Sequence, residues 1–315
     1  MVYTLTLNPA LDHIMYVSDL KEGELNRMNR ELLEVGGKGI NVSVTLAELD
    51  VKSKALGFVA GFTGYEIEHR LQARGIETDF VWLESGMSRI NVKMKNYSGD
   101  TETETEINSD GPDISDAALK HLFEKFEAME DGDVVVLAGG VPRTLQKDIY
   151  EHILEYLAGK NIKVAVDAAG ELLTSTLKFR PFVIKPNLEE LAEIFGEMPS
   201  SKLEVIAYAK HLQEMGARNV LVSMGSEGAI LLEESGNTFY CAACKGKLRN
   251  TIGAGDAMLA GFLSASLDSD TDVEYALMLG TAAGGATAFS DGIAKKTLIL
   301  DYMKTLLKEH AEKPI

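Results

Sequence analysis

The stretch Asn250-Thr251-Ile252-Gly253-Ala254-Gly255-Asp256 leads directly into the apolar run Ala257-Met258-Leu259-Ala260-Gly261-Phe262-Leu263. Small residues ahead of a helix let backbone N–H groups converge at its N-terminus, which makes an anion site. Asp256 falls in the first turn of the predicted helix, where a carboxylate can accept a proton beside the bound anion. An anion cradle next to a base suits phosphoryl transfer to a hydroxyl. A flexible loop followed by a first-turn acid is the alternative interpretation.

A second glycine-rich turn lies near the beginning of the chain. Gly36-Gly37-Lys38-Gly39-Ile40-Asn41 opens a helical pattern that continues to Leu49. The glycines admit a ligand close to the backbone, Lys38 can reach an anionic group, and Asn41 can both donate and accept hydrogen bonds. A strand-to-helix turn with a solvated lysine is the alternative here. The second motif strengthens the interpretation as a phosphoryl-transfer site.

Composition limits the possible partners. Of the 315 residues, 45% are hydrophobic and 25% charged, which suits a globular α/β protein with a sizeable core. The formal net charge of −17 repels nucleic acid and anionic membranes, so we expect neither as a partner. The same field repels anionic substrates, so a phosphate site must be built from local cations. The candidates are Lys38, Arg89, Arg27 and Lys185.

The cysteines and the N-terminal residues favour a reduced compartment. Cys241 and Cys244 form a single CxxC motif, and the second pair of ligands that a structural zinc site needs is absent from the sequence. We therefore interpret both as ordinary strand or loop residues. No basic segment followed by an apolar one opens the chain, and no apolar run approaches about 20 residues. We therefore expect a cytoplasmic protein that is not inserted in a membrane.

Short apolar runs alternate with longer amphipathic ones along most of the chain. This alternation predicts a mostly parallel sheet with helices on both faces. The predicted strands are Val2–Leu7, Ala55–Val59, Val134–Ala138, Val164–Val166, Val183–Ile184, Val220–Val222 and Ala229–Leu232. The predicted helices include Asp116–Met129, Leu145–Leu157, Leu188–Phe195, Leu203–Met215, Val273–Phe289 and Leu298–Leu307.

Three segments instead alternate with a period of two. Arg89–Lys95 and Thr101–Ile107 predict a hairpin with a turn over 96–100, in which lysines of one strand face glutamates of the next. Asp12–Val17 predicts a third short strand. A small sheet with one apolar face must close over the main domain or pair with another subunit. A surface hairpin without function is the alternative.

The two glycine motifs together resemble those of the ribokinase-like (PfkB) carbohydrate kinases, and the resemblance covers essentially the whole chain. The opening Thr4–Asp12 resembles the phosphosugar branch of that family. The first strand is followed by Asn8-Pro9-Ala10 rather than GxGxxG, which argues against a Rossmann dehydrogenase, and GxxxxGK[ST] does not occur, which excludes a P-loop kinase.

The resemblance implies one domain over residues 1–315, with a three-layer α/β/α core, a mostly parallel sheet and a small β-sheet lid. The lid is expected over about 12–35 and 87–107, and a homodimer is expected to form through it. ATP with Mg²⁺ is the implied phosphoryl donor. The segments Leu25–Met28 and Arg89–Lys93 favour fructose 1-phosphate as the acceptor. Tagatose 6-phosphate is the alternative acceptor, and a non-catalytic sugar-phosphate sensor is the alternative function.

The resemblance also implies roles for residues on the sugar side. Asp256 would act as general base, with the cradle formed by Gly253, Ala254 and Gly255. The expected contacts to sugar hydroxyls are Asp12, Gly36, Gly37 and Asn41, and the expected phosphate contacts are Lys38, Arg89 and Arg27. For Arg89, pairing with a hairpin glutamate is the alternative.

On the nucleotide side, Asn187 and Glu190 match a family element that acts on Mg²⁺ through water, and Lys185 is expected to reach the ATP phosphates. An exposed helix start with acidic first-turn residues is the alternative for this element. The other expected nucleotide contacts are Ser223, Gly225, Gly228 and Thr251. The segment Phe289–Gly292 departs from the family pattern, which leaves the adenine pocket and any monovalent-cation site open.

Overall fold

The computed structural model describes residues 1–98, 101–267 and 271–312. Its strands are β1 (Val2–Thr6), β2 (Ala10–Ser18), β3 (Met28–Gly36), β4 (Ser53–Val59), β5 (Glu77–Thr78), β6 (Val81–Trp82), β7 (Arg89–Ser98), β8 (Thr101–Ile107), β9 (Val134–Ala138), β10 (Lys163–Asp167), β11 (Val183–Ile184), β12 (Asn219–Ser223), β13 (Ala229–Leu232) and β14 (Thr238–Cys241). Its helices are α1 (Lys38–Glu48), α2 (Gly61–Gln72), α3 (Asp116–Glu127), α4 (Ile149–Leu157), α5 (Gly170–Thr174), α6 (Leu188–Phe195), α7 (Lys202–Glu214), α8 (Ala254–Ser266), α9 (Val273–Ala288) and α10 (Lys296–Ala311).

The larger sheet runs in the order β14-β13-β12-β11-β10-β9-β1-β4-β5, with β6 also paired to β4. The pairs from β12 through β4 are parallel, and β13 and β14 add an antiparallel hairpin at one edge. Side chains alternate between the faces of β9. Val135 and Leu137 pack into one apolar core, whereas Val134 and Val136 pack into the other. Both faces of the sheet are therefore covered, as the continuous apolar runs predict.

The predicted helices are all present, although some boundaries differ. The helix predicted from Leu145 begins at Ile149, after Asp148 in the N-cap position, and residues before it form turns. After Asp256 the chain continues through helices α8, α9 and α10, as predicted. No helix among the described residues has both the length and the apolar character needed to cross a bilayer.

The second sheet is small and runs in the order β3-β2-β7-β8. Its β7–β8 hairpin places Lys93 opposite Glu106 and Lys95 opposite Glu104, so lysines face glutamates as predicted. The predicted turn over 96–100 begins too early, because the pairing of β7 with β8 includes residues 96–98. Residues 99 and 100 of that turn lie outside the described residues. Strand β2 pairs in parallel with β7, so segments far apart in the chain build this sheet.

The two sheets meet where the parallel strands end. Strands β1, β9, β10 and β12 finish at one edge of the larger sheet, and residues of the small sheet line the same cleft. In open α/β sheets, ligands bind in the crevice outside the carboxyl ends of the strands. The fold thus places the small sheet beside the expected ligand site.

Candidate active site

A cleft of about 670 Å³ lies between the small sheet and the carboxyl edge of the larger one. The predicted site residues that line it are Asp12, Gly37, Lys38, Asn41, Arg89, Lys185, Asn187, Glu190, Ser223, Thr251, Gly253, Gly255 and Asp256. The described lining does not include Arg27, Gly36, Ala254, Gly225 or Gly228. Gly36 and Ala254 are chain neighbours of lining residues, whereas Arg27 is exposed in the segment between β2 and β3.

Asp256 lies in the first turn of α8, at the end of the cleft where the helix begins. The N-cap residue Gly253 has φ 78°, a left-handed conformation that favours glycine. The Asp256 side chain is 5% exposed, and its Oδ2 accepts a hydrogen bond of 2.8 Å from Asn41 Nδ2. Burial, followed by the negative charge of Asp167, raises the pKa of Asp256 to about 7. Its environment therefore gives it the pKa of a base that operates near neutral pH.

Lys38 and Lys185 converge on a buried carboxylate, Asp167, which the sequence analysis did not identify. Lys38 Nζ lies 2.9 Å from Asp167 Oδ1, and Lys185 Nζ lies 3.4 Å from Oδ2. Burial opposes the negative charge, but the two ammonium groups hold the pKa of Asp167 below its ordinary value. Asp167 directly follows the predicted strand Val164–Val166. Its position at the carboxyl end of a parallel strand was the signal available in the sequence.

The charge of Lys38 is itself strongly stabilised. Burial alone would lower its pKa, but the carboxylates of Asp167 and Asp256 raise it above its ordinary value. Glu190 Oε1 adds a longer contact of 3.8 Å. Two lysines and two buried acids thus form one compact network, in which each ammonium group lies beside an opposite charge.

On the small sheet, Asp12 is held by two neighbours on β7. Asn91 Nδ2 donates to Asp12 Oδ1 at 2.9 Å, and Lys93 Nζ lies 2.8 Å from Oδ2. All three side chains are buried and line the cleft. The sequence placed Lys93 on a polar face opposite glutamates, but its ammonium instead bonds across the parallel β2–β7 pair. Asn91 and Lys93 are therefore candidate site residues that the sequence analysis missed.

Arg89 begins β7 and lines the same cleft. Its guanidinium donates twice to the backbone oxygen of Asn8, from Nε at 3.1 Å and from an Nη at 2.6 Å. Burial lowers the pKa of Arg89, partly offset by the charge of Asp12. The guanidinium is thus fixed to a backbone carbonyl, and the described ion pairs include none between Arg89 and a hairpin glutamate.

Asn187 and Glu190 form a capping box at the start of α6. Glu190 N donates to Asn187 Oδ1 at 2.7 Å, and Asn187 N donates to Glu190 Oε2 at 2.8 Å. Asn187 also forms a parallel bridge with Ser223, the last residue of β12. Helix capping therefore explains part of the Asn187–Glu190 pattern in the sequence, because each side chain accepts a hydrogen bond from the backbone N–H of the other residue.

Comparison with known proteins identifies close relatives of the chain. A model of the pfkB family carbohydrate kinases matches residues 5–298. The 1-phosphofructokinase of Bacillus subtilis (strain 168) is 44% identical, over 98% of this chain and 98% of that protein. The D-tagatose-1-phosphate kinase of Bacillus licheniformis is 37% identical, over 93% of this chain and 94% of that protein.

Solved structures share the architecture. The phosphofructokinase-2 of Escherichia coli has a TM-score of 0.90 at 24% identity, covering 97% of this chain and 99% of that chain. A ribokinase of Arabidopsis thaliana has a TM-score of 0.77 at 19% identity, covering 96% of this chain and 98% of that chain. At these identities the structures show the fold alone. They confirm the predicted ribokinase-like α/β architecture.

Proposed function

The chain belongs to the pfkB family of carbohydrate kinases, and we propose that it transfers the γ-phosphoryl group of ATP to the 6-hydroxyl of fructose 1-phosphate. The product would be fructose 1,6-bisphosphate, which makes the protein a 1-phosphofructokinase. The observation that carries this proposal is the 44% identity with a 1-phosphofructokinase over 98% of both chains. Because the reaction consumes ATP, we assign it to the cytoplasm.

Asp256 is the proposed general base. The attacking hydroxyl must lose a proton as it bonds to the phosphoryl group, and the proton would pass to the Asp256 carboxylate. The Asn41 hydrogen bond to Oδ2 fixes the carboxylate and leaves Oδ1 for the substrate. Backbone N–H groups of Gly253, Ala254 and Gly255 at the start of α8 would stabilise charge on the transferred group.

Lys38 is the proposed cationic contact of the substrate phosphate, and Lys185 is that of the ATP phosphates. Both lie in the cleft that contains Asp256, and both already bear their charge beside Asp167. Phosphoryl transfer depends mainly on positioning and charge stabilisation, so fixed ammonium groups suit it. Ser223, Gly225, Gly228 and Thr251 remain the proposed nucleotide contacts.

The donor set fits a magnesium ion that keeps much of its water. Among the described residues, Asp167 Oδ2 accepts no hydrogen bond and has a 3.4 Å ion pair with Lys185. Glu190 Oε1 is outside the capping box and lies 3.8 Å from Lys38 Nζ. When bound, Mg²⁺ would neutralise charge on the β- and γ-phosphates. We propose that Asn187 and Glu190 hold it through water, with Asp167 behind them. The described residues contain no group of three His, Cys, Asp or Glu positioned for direct ligation.

The sugar phosphate would lie under the small sheet. Asp12, held as an acceptor by Asn91 and Lys93, suits sugar hydroxyls, with Gly36, Gly37 and Asn41 as further contacts. Arg89 and Lys38 are the proposed phosphate contacts. Arg27 could contact the substrate only if the sheet moved or another subunit contributed.

We propose that residues 1–315 act as one kinase domain, with 12–35 and 87–107 as its lid. The face of the lid opposite the cleft is apolar and half-buried, and Ile107 at its edge is 62% exposed. We propose that a second copy covers this face in a homodimer. Light scattering that gives a monomer mass at micromolar concentration would contradict the dimer.

Two other functions are compared in the same experiment. The relative from Bacillus licheniformis is named for tagatose 1-phosphate as its acceptor, whereas the sequence analysis gave tagatose 6-phosphate as the alternative. Tagatose 1-phosphate is therefore the alternative acceptor to test first. A coupled ADP-release assay with Mg·ATP compares the two tagatose phosphates with fructose 1-phosphate and fructose 6-phosphate. Fastest turnover of fructose 1-phosphate supports the proposal, and a preference for another acceptor overturns the substrate. Binding without ADP release would favour the sugar-phosphate sensor.

A further inference from the structure

Lys95 is buried in a position where a charge is costly. It lies on β7, its side chain is 7% exposed, and its Nζ donates to the backbone oxygen of Arg249 at 3.2 Å. The carboxylate of Glu104 lies farther away, at 3.8 Å. Removing an ammonium from water is strongly unfavourable unless close partners compensate. A methionine of similar length would avoid that cost, so the buried charge calls for a reason beyond stability.

The carbonyl that Lys95 reaches belongs to the segment that leads into the anion cradle. The backbone N–H groups of Arg249 and Asn250 both donate to the oxygen of Ala288, at 2.9 and 3.1 Å. Asn250 Oδ1 accepts from Ile252 N at 3.1 Å. The segment is therefore fixed on one side by the end of α9 and on the other by the small sheet.

A second contact, at the protein surface, also connects the small sheet with the segment around Arg249. Asp291 lies 3.0 Å from an Nη of Arg30 on β3 and 3.6 Å from an Nη of Arg249. Both arginines are more than half exposed, so this bridge contributes little at physiological salt. The buried Lys95 contact is the stronger connection between the small sheet and the cradle segment.

We infer that Lys95 is a positioning residue that couples binding of the sugar phosphate to binding of the nucleotide. Asn91, Lys93 and Lys95 alternate along β7 and lie on one face. A shift of β7 that brings Asn91 and Lys93 onto the sugar also moves Lys95, and with it the carbonyl of Arg249. The coupling is reciprocal by thermodynamic necessity. This inference rests on the proposed kinase function, and it adds a link between its two substrate sites.

Calorimetry measures the coupling directly. The dissociation constant of Mg·AMP-PNP is determined with and without a saturating sugar phosphate, using the acceptor that the enzyme turns over fastest. In the unchanged protein the sugar phosphate tightens nucleotide binding by about 5-fold or more, and in Lys95→Met by less than about 2-fold. Glu104→Gln is the matched control, because it removes the distant carboxylate and leaves the Arg249 contact, and it retains the coupling.

Hydrogen exchange tests the connection without any ligand. Lys95→Met speeds exchange of the Arg249 and Asn250 amides, whereas Glu104→Gln leaves them unchanged. The inference is overturned if Lys95→Met keeps the coupling, if the unchanged protein has none, or if Glu104→Gln loses as much as Lys95→Met. A different preferred acceptor would overturn the proposed substrate alone, since neither measurement depends on which sugar phosphate it is.

Discussion

Asn41 Nδ2 donates a hydrogen bond of 2.8 Å to Asp256 Oδ2. The bond joins the first turns of α1 and α8, although the two residues are 215 positions apart in the chain. The bond fixes one oxygen of a buried carboxylate and favours its ionised form. Both glycine-rich motifs of the sequence therefore contribute to one group of atoms. The predictions below separate the chemical role of this group from its contribution to stability.

Replacing Asp256 by Asn removes the proposed proton acceptor and keeps the size of the side chain. We expect kcat to fall by about 10²- to 10⁴-fold, with KM for both substrates little changed, because the base acts in the transition state. Steady-state kinetics with the ADP-release assay measures this. A variant that keeps most of its kcat, with a native circular dichroism spectrum, would exclude Asp256 as the base.

The raised pKa of Asp256 predicts a pH dependence. A base works only when ionised, so kcat/KM should rise about tenfold per pH unit below neutrality and level off above a pKa of about 7. The Asn41 hydrogen bond lowers the pKa of Asp256, so Asn41→Leu should move the rising limb to higher pH. Profiles of the two proteins are measured with the same substrates, because titration of the substrate phosphates is then common to both. An unshifted limb in Asn41→Leu would contradict this assignment.

The sequence predicted the parts of the fold that depend on local patterns. Strand β9 and helix α6 have the predicted boundaries, because an apolar run between turns and an amphipathic run after a capping Asn are local signals. The two-residue strands β5 and β6 were not predicted, although β11 is equally short and was. Strand β5 consists of Glu77 and Thr78 and so contains no apolar signal. Strand β14 was not predicted either, and only one side of it pairs within the larger sheet.

Contacts between distant segments could not be predicted in the same way. Lys93 faces Glu106 across the hairpin, but its ammonium bonds to Asp12 because β2 pairs in parallel with β7. That register depends on how two separate segments pack. Asp167 was missed for a similar reason, since its partners Lys38 and Lys185 come from other strand ends and meet it only in the folded sheet.

Lys185→Met tests whether the charge network serves stability or activity. Removing one partner of a buried carboxylate should destabilise the protein by about 3 kcal/mol, because Asp167 keeps its charge with only Lys38 beside it. Adding Asp167→Asn should recover most of that stability, since the buried charge is then absent. Activity should stay low in both variants if Lys185 contacts the phosphates. Urea denaturation and kinetics measure the two effects, and recovery of activity in the double variant would show that Lys185 serves stability alone.

Gly228→Ala tests why a glycine precedes β13. Gly228 has φ 93°, and an added Cβ would lie 2.0 Å from the backbone oxygen of Cys241, which cannot move without disturbing β14. Gly236, in the turn at the other end of the same hairpin, has φ 89° and no described heavy atom within 4 Å of its added Cβ.

Both alanine variants place a side chain at positive φ, which costs about 1 kcal/mol or more, and Gly228, with ψ −136°, lies outside the left-handed helical region that other residues can adopt. Only Gly228→Ala also adds the clash. We therefore expect Gly228→Ala to lose about 2 kcal/mol more free energy of unfolding than Gly236→Ala, as overpacking typically costs. Urea denaturation compares the two variants under one set of conditions. Equal losses would mean that the β13–β14 hairpin shifts to accommodate the new methyl group. The requirement for glycine at position 228 would then have to come from a bound nucleotide.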